Sequence, residues 1–202
     1  SEDILEILSE SSSFDDTGAT IREVCATILE KKQEYTGAAR MLAGISMDIG
    51  QKTPAEKCAH LVRIAQLFLE DEESARAIPF MNQASNYFGK CNETNTKVRY
   101  HLCFANIYDF DRKFLKASRS YYDLSLSVIK DDLPEVLNKA MVTAILSPAG
   151  PQRARLLKIM YNDERCTTFP VYKAVEKMYL QRILREHEIE SMDALLQEHQ
   201  RA

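Results

Sequence analysis

The chain has few of the residues that interrupt helices or favour sheets. Its 202 residues include no tryptophan, six glycines and six prolines. Runs of valine, isoleucine and threonine are also rare, which argues against a many-turned β-sandwich or barrel. We therefore predict an all-α fold, with a core large enough to be stable without disulfides or metals.

Membrane and secretory signals are also missing from the sequence. No stretch reaches the roughly 18 apolar residues of a transmembrane helix, and residues 1–4 (Ser-Glu-Asp-Ile) lack the basic start of a signal peptide. Five scattered cysteines do not suggest a secreted disulfide framework. We expect buried thiols, no membrane partner and a location in the cytoplasm and nucleus.

Positive charge is not concentrated on any one segment. The net charge is −4, and residues 1–50 hold ten acidic against four basic side chains. Tight nucleic-acid binding requires a concentrated basic face, so we expect no nucleic-acid partner. A mildly acidic helical protein of this kind is expected to bind other proteins.

Hydrophobic spacing predicts two helical hairpins in the first half. The first helix, within residues 20–32, carries its apolar residues at the interval of one helix face: Ile21, Val24, Cys25, Ile28 and Leu29. A second helix is predicted from Gly37 to Gly44. Residues 53–56 (Thr-Pro-Ala-Glu) match a capping box with proline at the first helical position, and a partner helix should follow over 74–87.

The next pair of helices, over 98–110 and 112–129, repeats this plan. A shift of 40 residues superposes Ala65 on Ala105, Leu67 on Ile107, Asp71 on Asp111, Ala77 on Ala117, and Ser85 on Ser125. We predict a right-handed superhelical solenoid of antiparallel helix pairs, of the tetratricopeptide or HEAT type. Small residues should lie where helices touch, at Ala38, Ala39, Ala77, Ala84 and Ala117.

Further helices are predicted over 132–146, 152–161 and 172–185. The segment 147–151, with two prolines and one glycine, must separate the first two. Ser191 could cap a last helix that ends at Gln200. The stripe of the helix at 172–185 comprises Val175, Met178, Tyr179 and Ile183.

The apparent catalytic and metal-binding motifs do not have the residue spacing that such sites require. Residues 44–53 superficially resemble a phosphate-binding loop, but extra residues intrude and no strand precedes them. Cys58 with His60, and His101 with Cys103, point about 200° apart on a helix, so neither pair can hold one ion. A site shared between repeats remains open, although packing roles are favoured.

Two other candidates are also better explained by structure than by catalysis. His187 and Glu188 begin a zinc-protease motif, but the position of the second histidine holds Ser191. Cys166 beside Arg165 could be an activated thiolate, yet no histidine is close in sequence, and a structural thiol is favoured. We predict no catalytic, cofactor or metal residue. A free-standing enzyme and an RNA-binding helical repeat stay as competing hypotheses.

Charged clusters are either solvated faces or docking surfaces. On a solenoid, turns and concave faces bind partners. The acidic turn at 70–73 and two basic groups are therefore candidate docking surfaces. The predicted partner-binding residues are Arg112, Lys113, Lys116 and Arg119, together with Arg153, Arg155 and Lys158.

Several stretches resemble the PCI family, whose name joins the proteasome lid, the signalosome and initiation factor three. The resemblance covers residues 21–184, and its most specific parts are 163–166 (Asp-Glu-Arg-Cys) and 176–180 (Glu-Lys-Met-Tyr-Leu). The loop over 89–96 departs from the family pattern. The other matching stretches are 35–45, 50–52, 64–71, 82–85, 108–114, 121–125, 144–146 and 150–155.

The resemblance implies a non-catalytic scaffold of the signalosome, which deneddylates cullin–RING ubiquitin ligases through a zinc isopeptidase in another subunit. Its implied partners are other signalosome subunits and the cullin–RING client, in a hetero-oligomer. Family members continue into a winged-helix PCI module, so we expect residues 1–202 to be the helical-repeat arm alone, with 1–20 loosely assigned. A proteasome-lid or initiation-factor paralogue is the alternative.

Overall fold

A computed structural model describes residues 15–47, 52–91, 93–126 and 133–201, which contain ten α-helices, two short 3₁₀ helices and no strand. The predicted all-α helical-repeat class is confirmed. Two compact units lie within residues 1–103 and 104–202. The helices are α1 (Asp15–Lys31), α2 (Tyr35–Ala43), α3 (Pro54–Glu70), α4 (Ser74–Phe88), α5 (Thr94–Phe110), α6 (Phe114–Ser125), α7 (Leu133–Leu146), α8 (Pro151–Asn162), α9 (Tyr172–Tyr179) and α10 (Glu186–Asp193).

Small residues form the helix crossings of the first unit. In sequence order α1 packs on α2, α2 on α3, and α3 on α4. Ala38 and Ala39 on α2, and Ala77 and Ala84 on α4, are fully buried. Ala117 on α6 is equally buried within the second unit. These five positions confirm the predicted contact residues, because short side chains allow helix axes to approach closely.

The capping box at the start of α3 is present in full. The hydroxyl of Thr53 accepts a hydrogen bond from the Glu56 backbone N–H at 3.3 Å, and the Glu56 carboxylate accepts one from the Thr53 N–H at 2.7 Å. Pro54 occupies the first helical position. These contacts satisfy donors that the helix itself cannot pair.

A non-glycine residue in the left-handed conformation closes the first helix of each of three hairpins. Gln33, Glu72 and Arg112 have φ of 62°, 59° and 56°, and they lie 39 and 40 residues apart, in agreement with the predicted repeat. The N–H after each one donates to the carbonyl five residues back, the pattern of a Schellman motif. These bonds are Glu34 to Leu29 (3.0 Å), Glu73 to Phe68 (2.9 Å) and Lys113 to Tyr108 (2.8 Å).

The apolar stripe predicted for α1 is only partly buried. The predicted helix is present, and Ile21, Val24 and Ile28 on its apolar stripe are 40%, 54% and 49% exposed. Ala26 on the same helix is fully buried, and the Leu29 side chain lies beside Gly37 of α2. Hydrophobic periodicity alone does not show which part of an amphipathic face meets a neighbouring helix.

The second unit is built around α7. This helix packs on α6, α8 and α9, and the buried side chains between them include Leu137, Met141, Met160 and Val175. Two hydroxyls are satisfied inside this core. Ser118 donates to the Ala140 carbonyl at 2.9 Å, and Tyr121 donates to the Asn106 side-chain oxygen at 2.6 Å.

Several helix boundaries differ from the sequence prediction, among them the start of α1 at Asp15 rather than residue 20 and the start of α5 at Thr94 rather than residue 98. α2 begins at Tyr35 rather than Gly37, because the turn at Gln33 has already closed. α6 begins at Phe114 rather than Arg112 and ends at Ser125, while the predicted end at 129 lies outside the described residues. α9 ends at Tyr179, since Gln181 adopts φ of 54°.

The C-terminal segment was predicted less accurately. Because α9 stops early, Ile183 is 88% exposed and is not part of a buried stripe. Ser191 does not cap a helix; it lies inside α10, where its hydroxyl donates to the His187 carbonyl at 2.7 Å. A 3₁₀ helix over Glu198–Gln200 follows.

Candidate partner-binding surfaces

The first predicted basic residue, Arg112, is held by the chain's own C-terminal end. It lies in the turn between α5 and α6. Its Nη1 donates to the backbone oxygens of Arg201 at 3.0 Å and His199 at 3.4 Å. The guanidinium also lies 5.6 Å from the centre of the Phe114 ring. Arg112 is therefore already engaged by residues of its own unit.

The other three members of this basic series also have neighbours that satisfy them. Lys113 pairs with Asp111 at 2.9 Å, and the Lys116 ammonium lies 5.8 Å from the centre of a tyrosine ring, that of Tyr108. Arg119 lies 3.9 Å from Asp123, with both side chains mostly exposed. Exposed pairs of this type contribute little to stability, so Arg119 is the member of the series that a partner could recruit at the lowest cost.

The acidic turn at 70–73 has a structural role at one position. Asp71 accepts hydrogen bonds from both the backbone N–H and the hydroxyl of Thr36, each at 2.5 Å. Thr36 lies in the first turn of α2, where helix N–H groups lack partners within the helix. The carboxylate therefore links two neighbouring hairpins of the first unit.

The second basic group divides between two faces of α8. Arg155 and Lys158 are exposed, whereas Arg153 is half-buried. A turn of 100° per residue places Arg155 and Lys158 roughly 60° apart and both more than about 130° from Arg153. The structure brings Arg155 and Lys158 together and separates Arg153 from them.

Among the described residues, no carboxylate contacts Arg153, although half-buried arginines usually have such a partner. Its Nη2 donates to the sulfur of Met178 at 3.5 Å, and sulfur is a weak acceptor. Burial lowers the pKa of this guanidinium from its ordinary value, with no opposing contribution from an acidic group. Elsewhere in this unit arginine is paired normally, as Arg165 is with Asp163.

Arg153 lines an open cavity of about 650 Å³, here called the α8–α9 groove. The walls combine apolar side chains with a second arginine, Arg182, that sequence reasoning missed. The sequence did not indicate where α9 ends. A helix that continued to residue 185 would have placed the Arg182 side chain differently. The lining residues are Ala149, Gly150, Arg153, Ala154, Leu157, Met178, Tyr179, Gln181, Arg182 and Leu184.

The segment 163–166, which carries the strongest family resemblance, forms a half-buried polar network. Arg165 donates to both oxygens of Asp163, the shortest contact being 2.6 Å, and to the Ser125 carbonyl at 3.0 Å. Tyr122 donates to Asp163 at 3.0 Å. Arg165 holds the pKa of Asp163 below its ordinary value. The network joins the ends of α6 and α8 and is a structural element.

The cysteine and histidine candidates are used in packing. Cys58 and Cys103 are fully buried, and burial raises their thiol pKa to about 11 and about 12 respectively. His60 contacts the Leu42 carbonyl at 3.2 Å, and His101 packs edge-on against Phe88. Within the described ranges, no group of three potential ligands could hold a metal.

Cys166 does not have the surroundings of a reactive thiolate. It is fully buried, and burial raises its pKa to about 12 despite the nearby Arg165. The expected burial of this thiol is confirmed. The expectation that every cysteine is buried is wrong for Cys25, which is half-buried.

Neither the motif that begins like a zinc protease, at His187 and Glu188, nor the loop-like segment at 44–53 has catalytic geometry within the described residues. Glu188 forms an ion pair with Lys177. The segment at 44–53 follows the helix α2 rather than a strand, and its positions 48–51 lie outside the described residues. Among the helices that the structure describes, none is long and apolar enough to span a bilayer.

Comparison with known proteins finds a matching family model and several similar proteins. A family model described as PSMD12/CSN4, N-terminal, matches residues 2–132. Relatives named COP9 signalosome complex subunit 4 are 40% identical in Drosophila melanogaster, 36% in Arabidopsis thaliana and 39% in Dictyostelium discoideum. Each alignment covers 94% of this chain but 48%, 51% and 49% of the relative. The chain thus spans about half the length of the curated relatives it matches.

Proposed function

Because the chain belongs to the PSMD12/CSN4 N-terminal family, we propose that it is the helical-repeat arm of a signalosome subunit. In this role it acts as a non-catalytic scaffold that contacts other subunits and the cullin–RING ligase on which the complex acts. The observation that carries the proposal is the identity of 36–40% to subunit 4 of the COP9 signalosome along 94% of the chain.

The packing of the chain agrees with a scaffold role. Reactive side chains that could serve catalysis, such as Cys166 and His60, are engaged in the core. Stacked hairpins leave the outer faces of their helices free, and repeat proteins use such faces to bind partners. Deneddylation would then depend on a different subunit of the assembly.

We further propose that the predicted basic residues contribute to partner contacts, with α8 as the main element. Arg155 and Lys158 are exposed on one face, and Arg153 contacts no carboxylate in the part of the chain that the structure describes. Arg112, Lys113 and Lys116 are engaged within the unit and are weaker candidates, because a partner would have to displace existing contacts.

Affinity purification of the tagged full-length protein from its own cells tests the assignment. We expect mass spectrometry to find a stoichiometric deneddylase complex together with cullin–RING ligase. Recovery of proteasome-lid subunits or translation initiation factors would keep the fold and reject the signalosome role. An untagged strain processed in parallel controls for nonspecific recovery.

A charge-reversal experiment tests the basic surface of α8. The double variant Arg155→Glu, Lys158→Glu should lower the recovery of at least one partner severalfold, since opposite charges at an interface are replaced by like charges. A matched double reversal at two exposed lysines of the first unit, Lys31→Glu and Lys90→Glu, should leave recovery unchanged. Equal recovery with all variants would remove this face from the proposal.

We propose that the protein is located in the cytoplasm and nucleus. A fluorescent tag on the full-length protein should give signal in both compartments. Signal confined to a membrane-bound organelle would contradict the assignment.

A further inference from the structure

We propose that the α8–α9 groove binds a short segment of a partner protein that carries carboxylates next to an apolar side chain. The inference deepens the proposed function, since it names the chemistry of one partner contact, and it rests on that function only for the idea that this unit meets another protein.

The charge of the groove is the first argument. Arg153 and Arg182 both line it, and none of its ten lining residues is acidic. A guanidinium that is removed from water without a charged partner is unfavourable, and a carboxylate would supply paired, charge-assisted hydrogen bonds. The contact of Arg153 with the Met178 sulfur is a weak substitute that an incoming carboxylate could replace.

Pairing of other basic residues in this unit supports this interpretation. Arg165 and Lys177 are about as shielded as Arg153, and each contacts a carboxylate, Asp163 and Glu188 respectively. The chain therefore supplies acidic partners to shielded cations where the fold needs them. In the groove it supplies apolar walls instead.

The apolar side chains that line the groove determine which kind of anion fits. Ala154, Leu157, Met178 and Leu184 offer apolar surface beside the two arginines. A leucine-like side chain could be buried there, which adds free energy in proportion to its apolar area. Single-stranded nucleic acid is less suitable, because it binds grooves with several stacking rings, and the only ring in this groove is that of Tyr179.

Fluorescence anisotropy with purified full-length protein tests the groove. The probe is a labelled peptide in which glutamate and leucine alternate. One control peptide replaces glutamate by glutamine, and another replaces leucine by serine. We expect the first peptide to bind, with an affinity that falls as salt is raised, and both control peptides to bind at least about tenfold more weakly.

Protein variants locate the site. Arg153→Gln and Arg182→Gln should each weaken binding about tenfold, whereas Arg99→Gln, a matched change at an exposed arginine of the first unit, should have little effect. The variant Arg153→Glu should prefer a peptide of alternating lysine and leucine. Circular dichroism melting curves verify that each variant is folded.

Several results would overturn the inference. These are no binding of the glutamate–leucine peptide, equal binding of the glutamine–leucine peptide, equal weakening by Arg99→Gln, or stronger binding of a single-stranded oligonucleotide at the same residues. Failure to recover a signalosome in the purification above would reject the proposed function and leave these binding results unaffected.

Discussion

Gln200 donates from its side-chain nitrogen to both carboxylate oxygens of Asp109, at 3.0 Å each. Both residues are buried although 91 positions separate them. The ring of His199 packs 4.3 Å from that of Phe110, and Arg112 donates to the carbonyls of this same segment. The end of the described chain is thereby fastened to the turn that joins α5 and α6.

Loss of the Gln200 amide should destabilise the second unit. Gln200→Ala leaves the buried Asp109 carboxylate without two of its hydrogen bonds, and an unsatisfied buried group costs about 1–3 kcal/mol. Urea unfolding measures the change. Gln152→Ala, at an exposed position of α8, is the control and should alter stability by less than about 0.5 kcal/mol. Equal effects would show that the contact contributes nothing.

A charge introduced at a helix crossing should be poorly tolerated. Ala77 is fully buried on α4, whereas Ala75 on the same helix is exposed. Ala77→Glu should therefore lower the free energy of unfolding by at least about 3 kcal/mol or prevent folding, and Ala75→Glu should be close to neutral. A thermal melting curve for Ala77→Glu that matches the parent protein would contradict the packing described here.

Glycine at a left-handed turn position should stabilise the first unit. Glu72 has φ of 59°, a region that costs a residue with a Cβ about 1 kcal/mol or more. Part of this gain is lost through the greater freedom of glycine in the unfolded chain, so Glu72→Gly should add about 0.5 kcal/mol. Glu70→Gly, two residues earlier at the end of α3, should instead destabilise by about 1 kcal/mol. Thermal unfolding of the two variants measures these opposite changes in stability.

The half-buried pair Asp163 and Arg165 should make stability depend on acid pH. Since the pKa of Asp163 is lowered in the folded state, the unfolded chain binds this proton more readily. Its contribution to stability is complete above the ordinary aspartate pKa of about 3.9 and is lost as the pH falls through the lowered value.

The variant Asp163→Asn should reduce this dependence. We expect a loss of about 1–3 kcal/mol at pH 7 and a smaller further loss between pH 4 and pH 2 than in the parent protein, both measured by urea unfolding. Its exposed neighbour offers the control Glu164→Gln. If the stability of Asp163→Asn falls between pH 4 and pH 2 as much as that of the parent protein, other carboxylates govern acid unfolding.

Thiol labelling should follow burial. Cys58, Cys103 and Cys166 are buried and have raised pKa values, while Cys25 is half-buried. Iodoacetamide at neutral pH should modify Cys25 first, and peptide mapping by mass spectrometry should find the four buried cysteines, Cys91 included, protected until the protein is denatured. Fast labelling of Cys166 in the native protein would revive the hypothesis of a catalytic thiol.

Signals that act within a few residues were predicted well. The capping box at Thr53 and the break before Pro151 depend on local hydrogen bonding and on fixed backbone angles, which tertiary contacts seldom reverse. The turns at Gln33 and Glu72 were harder to place, because glycine, the usual residue for a left-handed helix end, is absent from both.

The candidate site was predicted only as a set of basic residues. Charge can be counted from sequence, but whether a cation has a partner depends on contacts between distant residues. Arg112 is satisfied by a segment almost 90 positions away, and Arg153 is left with a sulfur atom. Arg182 joins the groove only because α9 ends at Tyr179.

By itself, the sequence determined the helical class, the 40-residue repeat and the small residues at the helix crossings, because these follow from periodicity and side-chain size. Only the tertiary structure decided that Ile21, Val24 and Ile28 on α1 stay exposed and which arginine remains without a carboxylate. Both outcomes depend on the surface that each helix meets, and that surface is created when residues distant in the chain pack together.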